Sequence, residues 1–284
     1  MIDGFGVLDP MIDDRPRGGD VPQRWQDVGM TARGTALVRR PGPRLADGIV
    51  THIDRVPVDV QLAARQHDAY VAALAGAGWT IAEVPPADDC PDAVFVEDTA
   101  VILGDLAVLT SPGASSRRAE IAGTEATLAR LDRPIARITA GTLDGGDVLQ
   151  VGTTVYVGRG GRTDAEGVRR LRAIAAGTGR NVVAVPLSKV LHLKSAVTAL
   201  PDGTVLTHGD LVDLGVFPQV RPVPEEPGAH VVLLGGEDVL IAASAPDTAE
   251  LIADLGYRPI VVDVSEFEKL EGCVTCLSVL LPGA

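Results

Sequence analysis

Four times along the chain two short apolar, β-branched runs face each other across a tight polar turn. Ala100–Leu103 turns at Gly104-Asp105 into Leu106–Leu109, and Val148–Val151 turns at Gly152-Thr153-Thr154 into Val155–Val157. Ala196–Leu200 turns at Pro201-Asp202-Gly203 into Thr204–Thr207, and Val231–Leu234 turns at Gly235-Gly236-Glu237-Asp238 into Val239–Ala242. Runs of this kind joined by Gly, Asp and Pro predict β-hairpins. Between them the apolar spacing predicts helices over 59–77, 116–131, 163–177 and 246–255. The third opens on Thr163-Asp164-Ala165-Glu166, a capping-box pattern, and the fourth ends at Gly256, a C-cap signal. The turn glycines Gly104, Gly152, Gly203 and Gly236 are 48, 51 and 33 residues apart, a period that calls for a repeat architecture. A fifth unit needs both ends of the chain, Thr275–Leu281 paired with Thr35–Val38. If they pair, five ββαβ-type units close into a ring. From pattern alone, an ordinary α/β sandwich stays open as the alternative.

Residues 1–30 are rich in Asp, Gly, Pro and Arg without periodicity and are expected to be an irregular extension, leaving 31–284 as a single domain. Two further stretches resemble neither strand nor helix: Pro41–Pro57, long enough to be a lid, and Phe217–Gly228, whose four prolines predict a rigid surface connection. The composition narrows the function classes. A balance of 25 basic and 38 acidic residues gives a net charge of −13, which argues against nucleic acid as a partner. No apolar run approaches the ~18 residues of a membrane helix. Cys90, Cys273 and Cys276 are too few for a disulfide scaffold, so a soluble cytoplasmic protein is expected.

Nearly every polar cluster sits where a hairpin begins: Asp92 to Asp98, Asp144-Gly145-Gly146-Asp147, His192-Leu193-Lys194-Ser195 and Thr275-Cys276. Units related by rotation would gather these at one end of the ring, where a cysteine, a histidine and an acid make a nucleophile, a proton-transfer group and an orienting group. Each cluster alone has an ordinary explanation. A cysteine in an apolar strand is usually a buried small side chain, His192 between leucines reads as a satisfied core residue, and Asp-Gly-Gly-Asp is a common turn. Cys273-x-x-Cys276 is half a zinc site at most, and a redox pair normally opens a helix. Their shared phase in the repeat is what raises them.

With those residues in view, the sequence resembles the dimethylarginine dimethylaminohydrolases of the guanidino-group-modifying (pentein) superfamily. The resemblance runs from about Thr35 to Leu281 and rests on Pro91–Asp98, Pro112–Arg118, Thr142–Asp147, Arg162-Thr163, Leu191–Ser195 and Glu271–Cys276. It implies a five-bladed α/β propeller with pseudo-fivefold symmetry. It also implies hydrolysis of Nω-methylated arginine to citrulline and a methylated amine through a covalent thiouronium on cysteine, without metal or organic cofactor. By the same resemblance Cys276 is the nucleophile, His192 the general acid/base and Asp144 its orienting acid. Asp98, with Glu97 and Asp92, would bind the guanidinium; Arg117 and Arg162 the α-carboxylate, for which a planar fork is suited; and Leu270 would add a backbone contact. The implied partner is a small methylated arginine, and a homodimer is an open expectation. Cys273 has no counterpart in the family pattern and is assigned a structural role, and residues 39–43 lack the expected lid leucine. Arginine deiminase, an amidinotransferase and a non-catalytic binder of arginine-like ligands are the competing readings. The deiminases and amidinotransferases carry an aspartate two positions after the histidine; Lys194 stands there instead, which favours methylated substrates.

Overall fold

The computed structural model describes residues 33–283; the expected extension over 1–30 lies outside them. The described chain is built from fifteen strands in five three-stranded sheets. In chain order, β1 (Gly34–Val38) is followed by α1 (Val60–Gly76) and β2 (Thr80–Glu83). Next come β3 (Ala100–Leu103), β4 (Leu106–Leu109), α2 (Ile121–Arg130) and β5 (Ile135–Arg137). β6 (Val148–Val151), β7 (Thr154–Arg159), α3 (Ala165–Ala176) and β8 (Asn181–Pro186) repeat the pattern. β9 (Val197–Ala199), β10 (Val205–Thr207) and β11 (Val220–Pro222) form a unit without an α-helix. The chain ends on β12 (Val231–Gly235), β13 (Asp238–Ala242), α4 (Pro246–Asp254), β14 (Arg258–Val262), α5 (Ser265–Glu268) and β15 (Val279–Pro282).

Every sheet has one pattern: an antiparallel pair, then a third strand parallel to the middle one. The fifth pair joins the two ends of the described chain, with Thr35 opposite Leu281 and Leu37 opposite Val279. The helices bury one face against the strands. α3, for example, places Val168, Leu171 and Ala175 in a cluster with Val148, Val155, Val157 and Val182. Burial of such side chains, worth ~1.5–3 kcal/mol each, holds units too small to be stable singly.

The sequence pattern errs in four places, each for a local reason. The proline-rich stretch contains β11, an edge strand of its sheet, the one place in a sheet where proline is tolerated. The helix expected over 116–131 begins as 3-10 helix over Ser115–Glu120, because Arg117 and Glu120 are both turned into a buried ion pair. Thr163 does not cap α3: the cap is Asp164, which accepts from Gly167 N at 2.7 Å, while the Thr163 hydroxyl donates to Asp147. The strand expected over Thr275–Leu281 begins only at Val279, since Val274–Leu277 is a 3-10 turn.

That last departure belongs to a rule. A 3-10 turn leads into the first strand of every sheet: Val96–Thr99 before β3, Gly145–Asp147 before β6, Leu193–Ser195 before β9, Glu226–Ala229 before β12 and Val274–Leu277 before β15. The turn before β3 packs on those before β6 and β15, and the turn before β6 on that before β9.

Candidate active site

A pocket beside these turns is lined by Ile49, Asp92, Phe95, Asp98, Arg117, Arg162, Leu191, His192, Leu270, Glu271, Gly272 and Cys276. Eight of the nine residues expected at the site lie in this wall or directly behind it. Cys276 is brought in by the turn before β15, which Tyr70 of α1 fixes by donating to Val274 O at 2.9 Å and lying 2.8 Å from the Ser278 hydroxyl. Sequence reasoning missed Tyr70; a lone aromatic on a helix face carries no signal of its partner.

His192 faces two buried carboxylates. Its Nε2 lies 3.0 Å from Asp144 Oδ2 and 3.8 Å from Asp98 Oδ1. Burial pulls the imidazole down, but the charge of Asp98, the hydrogen bond with Asp144 and the charges of Asp147 and Asp144 outweigh it and push its pKa to about 9. Asp144 is fully buried behind His192 and accepts from Gly113 N at 2.8 Å and from Arg162 at 3.4 Å. It therefore orients the ring without reaching the pocket. Gly146 allows the close approach: a Cβ there would lie 2.8 Å from both Asp98 Oδ1 and His192 Nδ1, while its N–H donates to Asp98 at 2.8 Å.

The remaining charges separate into two groups. Arg117 gives Nε and Nη2 to Glu120, Nη1 to Asp98, and Nη2 again to Asp92 O and Phe95 O. Of its five N–H groups one on Nη1 is left, so Arg117 is the counter-ion of Asp98 rather than a free fork for a carboxylate. Burial opposes ionisation of Asp98, but His192, Arg117 and the Gly146 N–H hold it well below the usual carboxylate range. Among the described residues Arg162 makes only the long side-chain contact to Asp144 and is the freer arginine. Among the described residues the Asp92 carboxylate accepts only from Ile49 N, at 2.9 Å. Burial pushes its pKa up, with Arg117 and the Ile49 N–H opposing.

Glu97 is the exception to the sequence expectation. It does not line this pocket. Its carboxylate pairs with Lys194 at 2.5 Å and accepts from the Thr275 hydroxyl at 3.1 Å, and both residues border a second cavity with Val231, Ser278 and Leu280. Burial raises Glu97 to about 7 despite Lys194. Adjacent residues of a 3-10 turn point a third of a turn apart, so Glu97 and Asp98 cannot both face the pocket. Lys194 likewise turns away, leaving position 194 without any charged group in the pocket.

The Pro41–Pro57 loop reaches the pocket through Ile49. Beyond Ile49, Thr51 N and His52 N donate to Glu271 at 2.5 and 2.8 Å, and Glu271 adopts φ +58°, a left-handed conformation that sidechain-bearing residues adopt at a cost. Ile49 carries no motif visible in sequence beyond its place in a loop, and Glu271 was visible only as the first residue of the Glu271–Cys276 segment, with no role given to it.

Cys273 also departs from expectation. Two cysteines three apart in a strand would face opposite ways, but a 3-10 turn stacks i over i+3. The two sulfurs lie 3.4 Å apart. The Cys276 S–H lowers the Cys273 thiol well below its usual range, with burial opposing and His230 helping, and the same hydrogen bond with burial raises Cys276.

Asp98, Asp144 and His192 bring ligand atoms within 4.8 Å of one another, the one such grouping among the described residues. Their two negative charges are already met by His192 itself, Arg117 and Arg162, so a metal ion would have to displace these partners. What the arrangement can do is place a thiol, an imidazolium and fixed carboxylates around a small cation.

The arginine deiminase family model matches residues 58–237. The chain is 64% identical over 248 residues to N(G),N(G)-dimethylarginine dimethylaminohydrolase of Streptomyces coelicolor, covering 87% of this chain and 96% of that protein. Among solved structures it is similar to the enzyme of that name from Pseudomonas aeruginosa, a cysteine-to-serine variant complexed with citrulline. The TM-score is 0.81 at 36% identity, over 88% of this chain and 100% of that one. It is also similar to a histidine-to-glycine variant of dimethylarginine dimethylaminohydrolase solved as an adduct with S-methyl-L-thiocitrulline. There the TM-score is 0.82 at 36% identity, over 87% and 99% of the two chains.

Proposed function

Because the chain belongs to the dimethylarginine dimethylaminohydrolase family, we propose that this pocket hydrolyses Nω-methylated arginines to citrulline and dimethylamine or methylamine. The observation that carries the reading is the buried His192 between Asp98 and Asp144 in one pocket with Cys276. A guanidinium carbon is a poor electrophile because its charge is delocalised, so it must be fixed and its charge met. Asp92 and Asp98 supply the carboxylates. The arriving cation also favours the Cys276 thiolate, whose sulfur attacks the guanidinium carbon to give a tetrahedral adduct. His192, an imidazolium in the empty site, gives its proton to the methylated nitrogen. The C–N bond breaks, the amine leaves, and the carbon remains bonded to sulfur as a thiouronium. The now neutral imidazole takes a proton from water. Hydroxide adds, the C–S bond breaks as the added hydroxyl gives its proton to the released amine in solvent, and citrulline leaves with the thiolate and imidazolium restored.

Arg162 is the residue for the substrate α-carboxylate, with Leu270 offering its backbone at the wall. Glu97 and Lys194 pair in the wall of the second cavity. The absence of a charged group at 194 in the pocket spares an N-methyl group from facing an unpaired buried carboxylate, which supports preference for methylated arginine. The antiparallel pairing of β1 with β15 supports closure of the five sheets into an α/β propeller. Three free cysteines suit a reducing cytoplasm, and no helix among the described residues is long and apolar enough to cross a membrane. Sedimentation equilibrium decides between a monomer and the expected homodimer. The function is tested by incubating the protein with arginine, monomethylarginine, asymmetric dimethylarginine and agmatine and measuring citrulline and amine. Higher kcat/KM for the methylated arginines is expected, and equal turnover of free arginine overturns the substrate assignment.

A further inference from the structure

Cys273 and Cys276 are joined by more than proximity. Cys276 N donates to Cys273 O at 3.1 Å, closing the turn, and Cys273 N donates back to the Cys276 sulfur at 3.4 Å. A hydrogen-bonded turn of this length keeps its end Cα atoms within about 7 Å, near the range a disulfide spans. The sulfurs themselves are 3.4 Å apart, and a disulfide of about 2.0 Å needs only about 1.4 Å of closure (3.4 minus 2.0). Cys276 lines the pocket, and Cys273 lies against it outside the lining. The local context that a redox pair needs, one cysteine opening a helical turn and the other closing it, is present here although the sequence suggested a strand.

The geometry points to a modification site: Cys273 and Cys276 form a reversible intramolecular disulfide when a peroxide enters the pocket, which masks the nucleophile and shields it from irreversible oxidation. The steps balance. The Cys276 sulfur attacks one peroxide oxygen, the O–O bond breaks, and Cys276 becomes a sulfenic acid as water leaves. The Cys273 sulfur then attacks the Cys276 sulfur, the S–O bond breaks, the thiol proton leaves with hydroxide as a second water, and the S–S bond forms. Two thiols and one hydrogen peroxide become one disulfide and two waters, and a low-molecular-weight thiol reverses the oxidation. Without a resolving cysteine, the sulfenic acid would advance to sulfinic acid, which thiols do not reverse.

The test treats the full chain with hydrogen peroxide and then with a thiol reductant, following intact and peptide mass together with citrulline formation. In the unaltered protein the peptide carrying both cysteines should become lighter by two hydrogen atoms and resist alkylation. Activity should disappear and return with reductant. Cys273→Ser and Cys273→Ala should show no such loss of hydrogen, should gain two oxygen atoms on Cys276, and should not recover relative to each variant's own starting activity. The proposal is overturned if the unaltered protein goes directly to sulfinic acid, keeps both thiols free to alkylate, or links either cysteine to Cys90. It is overturned equally if the Cys273 variants recover as fully as the parent. The mass readout needs no substrate. A chain that forms the disulfide but makes no citrulline would therefore overturn the functional reading and leave this one standing.

Discussion

Replacing Asp144 by asparagine isolates what holds His192 in its acid form. The imidazole rises from an ordinary 6.5 to about 9, a gain worth roughly 3 kcal/mol. Several carboxylates share it, and only Asp144 contacts Nε2 at hydrogen-bond distance. In Asp144→Asn the amide oxygen can still accept that proton, so the bond survives as a neutral one. The loss is the difference between a charged bond, about 1.5–3 kcal/mol, and a neutral one, about 0.5–1.5. That is about 1–1.5 kcal/mol, or about one pKa unit. The imidazolium is the form that protonates the leaving amine, so activity falls as pH rises through the folded-state value. The alkaline limb of kcat/KM, which reports the free enzyme, should lie near 9 in the parent and move down about one unit in the variant, with a smaller change at neutral pH. Citrulline formation from dimethylarginine measured between about pH 6 and 10.5 reads both. A limb that stays in place in Asp144→Asn would refute the reasoning, as would a parental limb at the unperturbed histidine value.

Other substitutions separate the remaining roles. Cys276→Ser should lower turnover by at least ~10³-fold because a hydroxyl is a far weaker nucleophile at neutral pH, while calorimetry should still show dimethylarginine binding; retained turnover refutes the nucleophile. Arg162→Ala should raise KM roughly 10- to 100-fold, the worth of a charged hydrogen bond, with a smaller effect on kcat in the same citrulline assay. Arg117→Ala should act chiefly on stability, by about 3–5 kcal/mol, because it strands Asp98 and Glu120 buried and unpaired; denaturant melts measure this. Gly146→Ala should lower kcat by about tenfold or more at a stability cost of ~1–3 kcal/mol, since its methyl would press on Asp98 and His192 together, and kinetics beside a thermal melt separate the two effects.

The repeat was legible because hairpin turns announce themselves: Gly104 and Gly152 sit at φ +68° and +60°, where glycine is the natural choice. The pairing of the chain ends was legible for the same reason, as two strand-like runs left without partners. The 3-10 turns were not. They are one turn long, so no periodicity accumulates, and Thr275-Cys276-Leu277 reads like the strand that follows it. This hid the meeting of Cys273 with Cys276, and it also hid that Glu97 and Asp98 part company. The residue types at the site were visible, but which arginine is spent on a buried acid depends on Glu120, whose place beside Arg117 comes from a turn that the sequence offered as α-helix.

The charges at the site follow one arrangement. Asp98 is held by Arg117, Glu97 by Lys194 and His192 by Asp144, so Asp98, Glu97 and Asp144 each already have a partner. Burying an ion pair is worth little by itself, but each pair here fixes a direction: Asp98 is kept ionised, His192 is kept protonated, and Glu97 is kept out of the pocket. Asp92 is different. Its carboxylate has one backbone partner on the Pro41–Pro57 loop, and burial without a paired cation pushes its pKa up. An incoming guanidinium would relieve that cost, so the acid least satisfied in the empty site is the one most improved by a cationic ligand. The loop that supplies the Ile49 N–H is also the one tied to Glu271. The ligand's charge and this loop would therefore meet at the same carboxylate.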